Sequence, residues 1–123
     1  MSKDIWERNR FQFRPSAFQE REYRARLVYI EPLPRAPRFV FLFDFMNNQT
    51  KWRAGIIREC VRGDWKYFEL VRAILGKPAP SRHITTSELL NHELLIWPQL
   101  RFSESLNLWF LKIVSFRGVS HAD

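Results

Sequence analysis

The sequence predicts a mainly β protein, a five-stranded barrel with one helix between the third and fourth strands. Two observations predict it. Phenylalanine occupies every odd position in Arg38-Phe39-Val40-Phe41-Leu42-Phe43-Asp44-Phe45, and side chains on a strand alternate between faces, so all four rings point one way. The apolar period then changes from two to 3.6 over residues 64–75 and back again afterwards, placing one helix among strands. Five short strands cannot hide both faces in a flat sheet of this size, so closure into a barrel is favoured.

The first residues, 1–20, form a basic, aromatic lead-in, with Ile5, Trp6, Phe11, Phe13 and Phe18 among Arg8, Arg10 and Arg14. It is read either as a segment docking its rings on the barrel or as an arm that orders on a partner. The domain proper spans 21–117, and 118–123 is a short tail. Glu22–Glu31 is the first strand, with Tyr23, Ala25, Leu27 and Tyr29 on one face and Arg24, Arg26, Val28 and Ile30 on the other. Pro32, Pro34 and Pro37 end it, since each lacks an amide donor. The Phe-rich strand comes next, then a turn at Asn47–Thr50. The third strand is Lys51–Cys60, with Trp52, Ala54 and Ile56 on its core side.

Asp64 is placed as the N-cap of the helix and Gly76 as its stop, with Pro78 beyond. Tyr67, Phe68, Val71, Ile74 and Leu75 form the apolar face. Thr85-Thr86-Ser87-Glu88 has capping-box spacing and opens a short helical turn. Glu93–Trp97 is the fourth strand, ended by Pro98. Leu106–Phe116 is the fifth, with Leu106, Leu108, Phe110, Val114 and Phe116 on one face and Trp109, Leu111 and Ile113 on the other. Phe41, Phe43, Leu27, Ile56, Phe68, Val71 and Phe110 are the expected core.

Composition narrows the function. The chain of 123 residues is 46% apolar and 15% aromatic, enough for one domain with a packed core. No apolar run reaches the roughly 20 residues of a membrane span, and the first residues carry no signal-peptide core, so the expectation is a cytoplasmic protein with no membrane partner. The single Cys60 excludes an internal disulfide, and His83, His92 and His121 lack metal-site spacing, so neither metal nor cofactor is expected. Asp44, Glu59, Asp64 and Glu69 follow no nuclease motif, and no glycine-rich phosphate loop exists. The protein is read as not an enzyme.

The net charge is +7, and residues 1–62 hold 13 Lys/Arg against 7 Asp/Glu, or +6. Arginine outnumbers lysine 15 to 5, and its planar donors suit phosphates and rings. A basic, aromatic half fits nucleic acid better than a small neutral ligand. The other reading is an ordinary solvated basic surface.

The order strand, strand, strand, helix, strand, strand is the layout of the OB-fold. The opening strand Tyr23-Arg24-Ala25-Arg26-Leu27, the long hairpin through Phe45, and the helix ending Leu70-Val71-Arg72-Ala73-Ile74-Leu75-Gly76 carry a further likeness, as does Ser87-Glu88-Leu89-Leu90-Asn91-His92-Glu93-Leu94-Leu95-Ile96. Over about residues 20–116 the chain resembles the small phage- and prophage-type single-stranded-DNA-binding proteins with an OB-fold. It departs from them at Asn91, where that family often has glycine, and in its last residues, which are not an acidic tail. The resemblance implies non-catalytic binding of single-stranded DNA in phage or mobile-element replication or recombination.

On that basis Arg24, Arg26, Arg38, Lys51 and Arg53 are expected to form one basic face over the first three strands, tracking phosphates, with Trp52 as a stacking candidate on the same hairpin. Trp97 and Trp109 are further stacking candidates. The alternative is a protein-protein interaction module, an accessory or inhibitor protein on an OB-like barrel, with its tryptophans as interface anchors.

Overall fold

The computed structural model describes residues 18–46, 52–61, 64–78, 84–105 and 107–119. Most of the aromatic lead-in, the Asn47–Thr50 turn, Lys51 and the end of the tail fall outside them. Five strands carry the fold: β1 (Tyr23–Pro32), β2 (Arg38–Phe45), β3 (Arg53–Glu59), β4 (Glu93–Ser103) and β5 (Leu108–Gly118). Between β3 and β4 lie helix α1 (Trp65–Leu75) and the single turn α2 (Thr86–Leu89). The strands close in a ring in the order β1-β2-β3-β5-β4. All neighbours are antiparallel except β3 and β5, which run parallel through Ala54↔Leu111 and Gly55↔Lys112.

The Phe-rich strand is central, as expected. Phe41, Phe43 and Phe45 point into the ring and are at most 6% exposed. They meet Ala25 and Leu27 of β1, Ala54 and Ile56 of β3, Leu94 and Ile96 of β4, and Leu111 and Ile113 of β5. Helix α1 supplies Leu70, Val71 and Ile74 to this core. Its start and stop are set by the local chemistry: Asp64 Oδ1 accepts from the amides of Lys66 at 2.9 Å and Tyr67 at 3.4 Å. Gly76 adopts φ 71° and returns its amide to Arg72 O at 2.9 Å, a left-handed cap that suits glycine. The capping box holds α2, where Glu88 Oε2 accepts from the Thr85 amide at 2.7 Å. Strand β5 ends against α1 so closely that a Cβ on Gly118 would lie 2.9 Å from Ala73 O.

Several expectations are corrected. The pairing of β1 with β2 shifts between Leu27 and Tyr29. That bulge reverses the facing of the rest of β1, so Tyr29 is 43% exposed while Ile30 packs on the core. Pro98 does not end β4, which continues to Ser103. Proline is tolerated there because the ladder is already irregular between Trp97 and Pro98. The same irregularity skips Val114 on β5, leaving it 45% exposed, whereas Leu111 and Ile113 are buried. Phe110 does not join the main core. It lies outside the ring, against Leu33, Val40 and Leu42, in a second small cluster. Phe68 is only half-buried, and Leu70 takes the central place on the helix face.

Candidate nucleic-acid interface

Of the residues expected to form one basic face over the first three strands, Arg24, Arg26 and Arg53 lie on adjoining strands, where carboxylates compensate them. Arg26 pairs with Glu93 on β4 and with Asp44 on β2, and Asp44 pairs with Arg53 on β3. Glu93, Arg26, Asp44 and Arg53 therefore form a row of alternating sign across four strands. Arg24 bonds Glu93 through Nε, and Arg26 Nη2 lies 3.7 Å from the same carboxylate. Arg53 Nε lies 2.6 Å from Asp44 Oδ1, with Nη2 3.3 Å from Oδ2, and its guanidinium sits 4.9 Å from the Tyr29 ring centroid. Three arginines against two carboxylates leave this patch at +1. The hydrogen bond from Arg24 holds the Glu93 carboxyl below its usual value of 4.5, with the charges of Arg24 and Arg26 assisting against partial desolvation.

Trp52 is not available for stacking. It is 7% exposed, with Phe18 and Phe45 ring centroids at 5.6 and 6.1 Å. Its phase places it with Ala54 and Ile56 inside the ring, as its alternation with Arg53 dictates. Lys51 lies outside the described residues. Trp97 and Trp109 are exposed on the β4–β5 ribbon, 42% and 44%, where Trp109 meets Phe102 edge-on at 5.1 Å.

Arg38 is different. It lines a groove of about 740 Å³ beside β3 and β5, whose parallel pairing is only two residues long. Its lining comes from Arg35 on the β1–β2 turn and Arg38 at the start of β2, from Asp64, Trp65 and Lys66 at the start of α1, from residues 55–59 of β3, and from Phe110, Lys112 and Ile113 of β5. Five cations and two carboxylates give the lining a net +3. Arg35, Arg38, Lys66 and Lys112 have no ion pair among the described residues. Asp64 is committed to capping the helix.

Arg58 sits deepest. Its Nη1 donates to Ile57 O at 2.9 Å, and its buried Nε has no partner among the described residues. Burial lowers its pKa, against the pull of the Glu69 and Asp64 carboxylates. Nearby Cys60 is half-buried, and burial, with help from the Asp64 charge, pushes its thiol up to about 11. It is therefore protonated at neutral pH and a poor nucleophile.

Sequence reasoning found Arg38 alone of these groove residues. Arg35, Arg58, Lys66 and Lys112 lie on four different segments, and only the ring order brings them together. No protein-family model matches the chain, and no curated protein matches it. No helix of the structure, among the described residues, is long and apolar enough to cross a membrane.

Proposed function

We propose that this protein is a non-catalytic single-stranded-DNA-binding protein of OB-fold type, and that the strand lies in the groove over β2 and β3. The ring order β1-β2-β3-β5-β4, the parallel β3–β5 contact and the helix before β4 support the OB-fold reading. In that fold the face of strands 2 and 3, with the flanking loops, is the usual oligonucleotide surface. The observation that carries the proposal is the set of four cations, Arg35, Arg38, Lys66 and Lys112, converging on one groove with no ion pair among the described residues. Cations not already neutralised are those that gain by releasing counterions from phosphates.

The test is fluorescence anisotropy with labelled single- and double-stranded oligonucleotides across a salt series. Single strands are expected to bind with an affinity falling linearly in log–log form, at a slope of about −0.7 per phosphate contact. Replacing Arg35, Arg38 and Lys112 together with Ala should flatten that slope by about two units. Absence of single-strand binding at low salt would overturn the proposal. Equal binding of duplex would leave the groove as a phosphate site and remove the single-strand assignment.

One observation favours a second reading, a protein-binding module. Phe102, Trp109, Trp97 and Val114 are all exposed on the β4–β5 ribbon, and exposed aromatic clusters anchor protein interfaces. Partner binding through that ribbon would be far less sensitive to salt.

A further inference from the structure

Helix α1 is amphipathic, and its buried side is Leu70, Val71 and Ile74. Trp65 lies on the opposite side, in line with the exposed Glu69 and Arg72 at the spacing of one and two helical turns. It is 67% exposed, well above Trp97, Phe102, Trp109 and Val114 on the β4–β5 ribbon. The fold makes no use of this ring: it is no part of either hydrophobic cluster. Single apolar residues occur on any protein surface, but Trp65 lines the cationic groove. Lys66 Nζ lies 5.9 Å from its ring centroid. A flat ring beside unpaired cations is what an unpaired base on a phosphate chain requires.

We infer that Trp65, at the first position of helix α1, is the platform on which the groove stacks an unpaired base of single-stranded DNA. The inference rests on the function proposed above and adds a residue outside the sheet face. The backbone passes between Arg38 and Lys112, and one base turns outward onto Trp65. Asp64 caps α1 and so fixes the backbone of the turn from which the Trp65 side chain projects. Lys66 stands beside the phosphate linked to the stacked nucleotide.

The experiment compares wild type with Trp65→Ala and Trp65→Phe, using two labelled single strands of equal length. One is oligo-dT, and the other carries a run of abasic sites. Circular dichroism and melting temperature verify the fold, which an exposed side chain should not disturb. Trp65→Ala should weaken oligo-dT binding about five- to a hundredfold, and Trp65→Phe should restore most of it. The salt slope should stay unchanged, since no phosphate contact is lost. Abasic DNA should bind wild type and Trp65→Ala alike.

If oligo-dT binds Trp65→Ala as tightly as wild type, the stacking role is wrong while single-strand binding stands. Equal weakening on abasic DNA would also overturn it, showing that the ring merely shapes the groove. Failure of wild type to bind either strand would instead remove the function on which the inference rests.

Discussion

Asp44 and Arg53 face each other across the β2–β3 ladder, with Arg53 Nε 2.6 Å from Asp44 Oδ1 and the Arg53 side chain only 18% exposed. The pair links the net charge of the first half of the chain to what its surface can bind. A cation held by a neighbouring carboxylate releases few counterions when a phosphate arrives, and one without such a partner releases more.

The expected consequence separates two sets of arginines. Replacing Arg24, Arg26 and Arg53 together with Ala should change the salt slope of single-strand binding by less than about one unit. It should lower stability, because Asp44 and Glu93 lose their partners and Tyr29 loses the guanidinium beside it. Pairs that stay in contact with water are screened and contribute little each, so the loss should be modest. Anisotropy across a salt series and urea denaturation measure the two effects. A slope flattened by two units or more would return the binding face to these three residues.

The fold is largely legible in the sequence because its signals are local. Alternation over Phe39–Phe45 sets the facing of β2, while Asp64 and Gly76 mark the ends of α1. Register is not local. A bulge inserts one residue into a ladder, and nothing in Leu27-Val28-Tyr29 distinguishes a bulged strand from a regular one. Alternation alone therefore turns Tyr29 inward, whereas the shifted ladder turns it outward. Phe110 departs from its expected place because Leu111 and Ile113, in the opposite phase, take the inner face of β5. The site is the least legible part. Arg24, Arg26 and Arg53 lie on adjoining strands, but their carboxylate partners become visible only when strands distant in sequence are paired.

Phe43 is fully buried in the ring, opposite Leu27 on one side and Ala54 on the other. Phe43→Ala leaves a cavity between two strands already fixed by their ladders, so little collapse is available. The expected cost is about 3–5 kcal/mol in chemical denaturation. A value below about 1 kcal/mol would mean that the Phe-rich face does not form the core.

Asn91 adopts φ 71° just before β4. Its amide donates to Leu27 O at 2.8 Å, and the Leu27 amide donates to His92 O at 2.9 Å. The left-handed residue thus aims the chain so that β4 enters beside β1. Asparagine tolerates this conformation better than other non-glycine residues. Asn91→Gly should be neutral or mildly stabilising, whereas Asn91→Ala should cost about 1 kcal/mol. Melting temperatures of the two variants provide the comparison, and equal values would show that the backbone angle carries no strain.

Acid should weaken the protein through two ion pairs that tie distant strands and segments. Glu93 is held below the usual 4.5 chiefly by the hydrogen bond from Arg24, and Glu22 by the hydrogen bonds from Arg117, at 2.8 Å to each oxygen. A carboxyl whose pKa is lower in the folded state contributes stability above its unfolded value, and loses it as pH falls through the folded one. The melting temperature should therefore be nearly flat from pH 7 to about 5 and decline below about 4.5. Glu22→Gln with Glu93→Gln removes both titrations, so the acid limb of that variant should be shallower than that of wild type. Because both carboxylates are exposed to water, salt should narrow the gap between the two curves. Identical acid limbs at low salt would show that these pairs add nothing to folding.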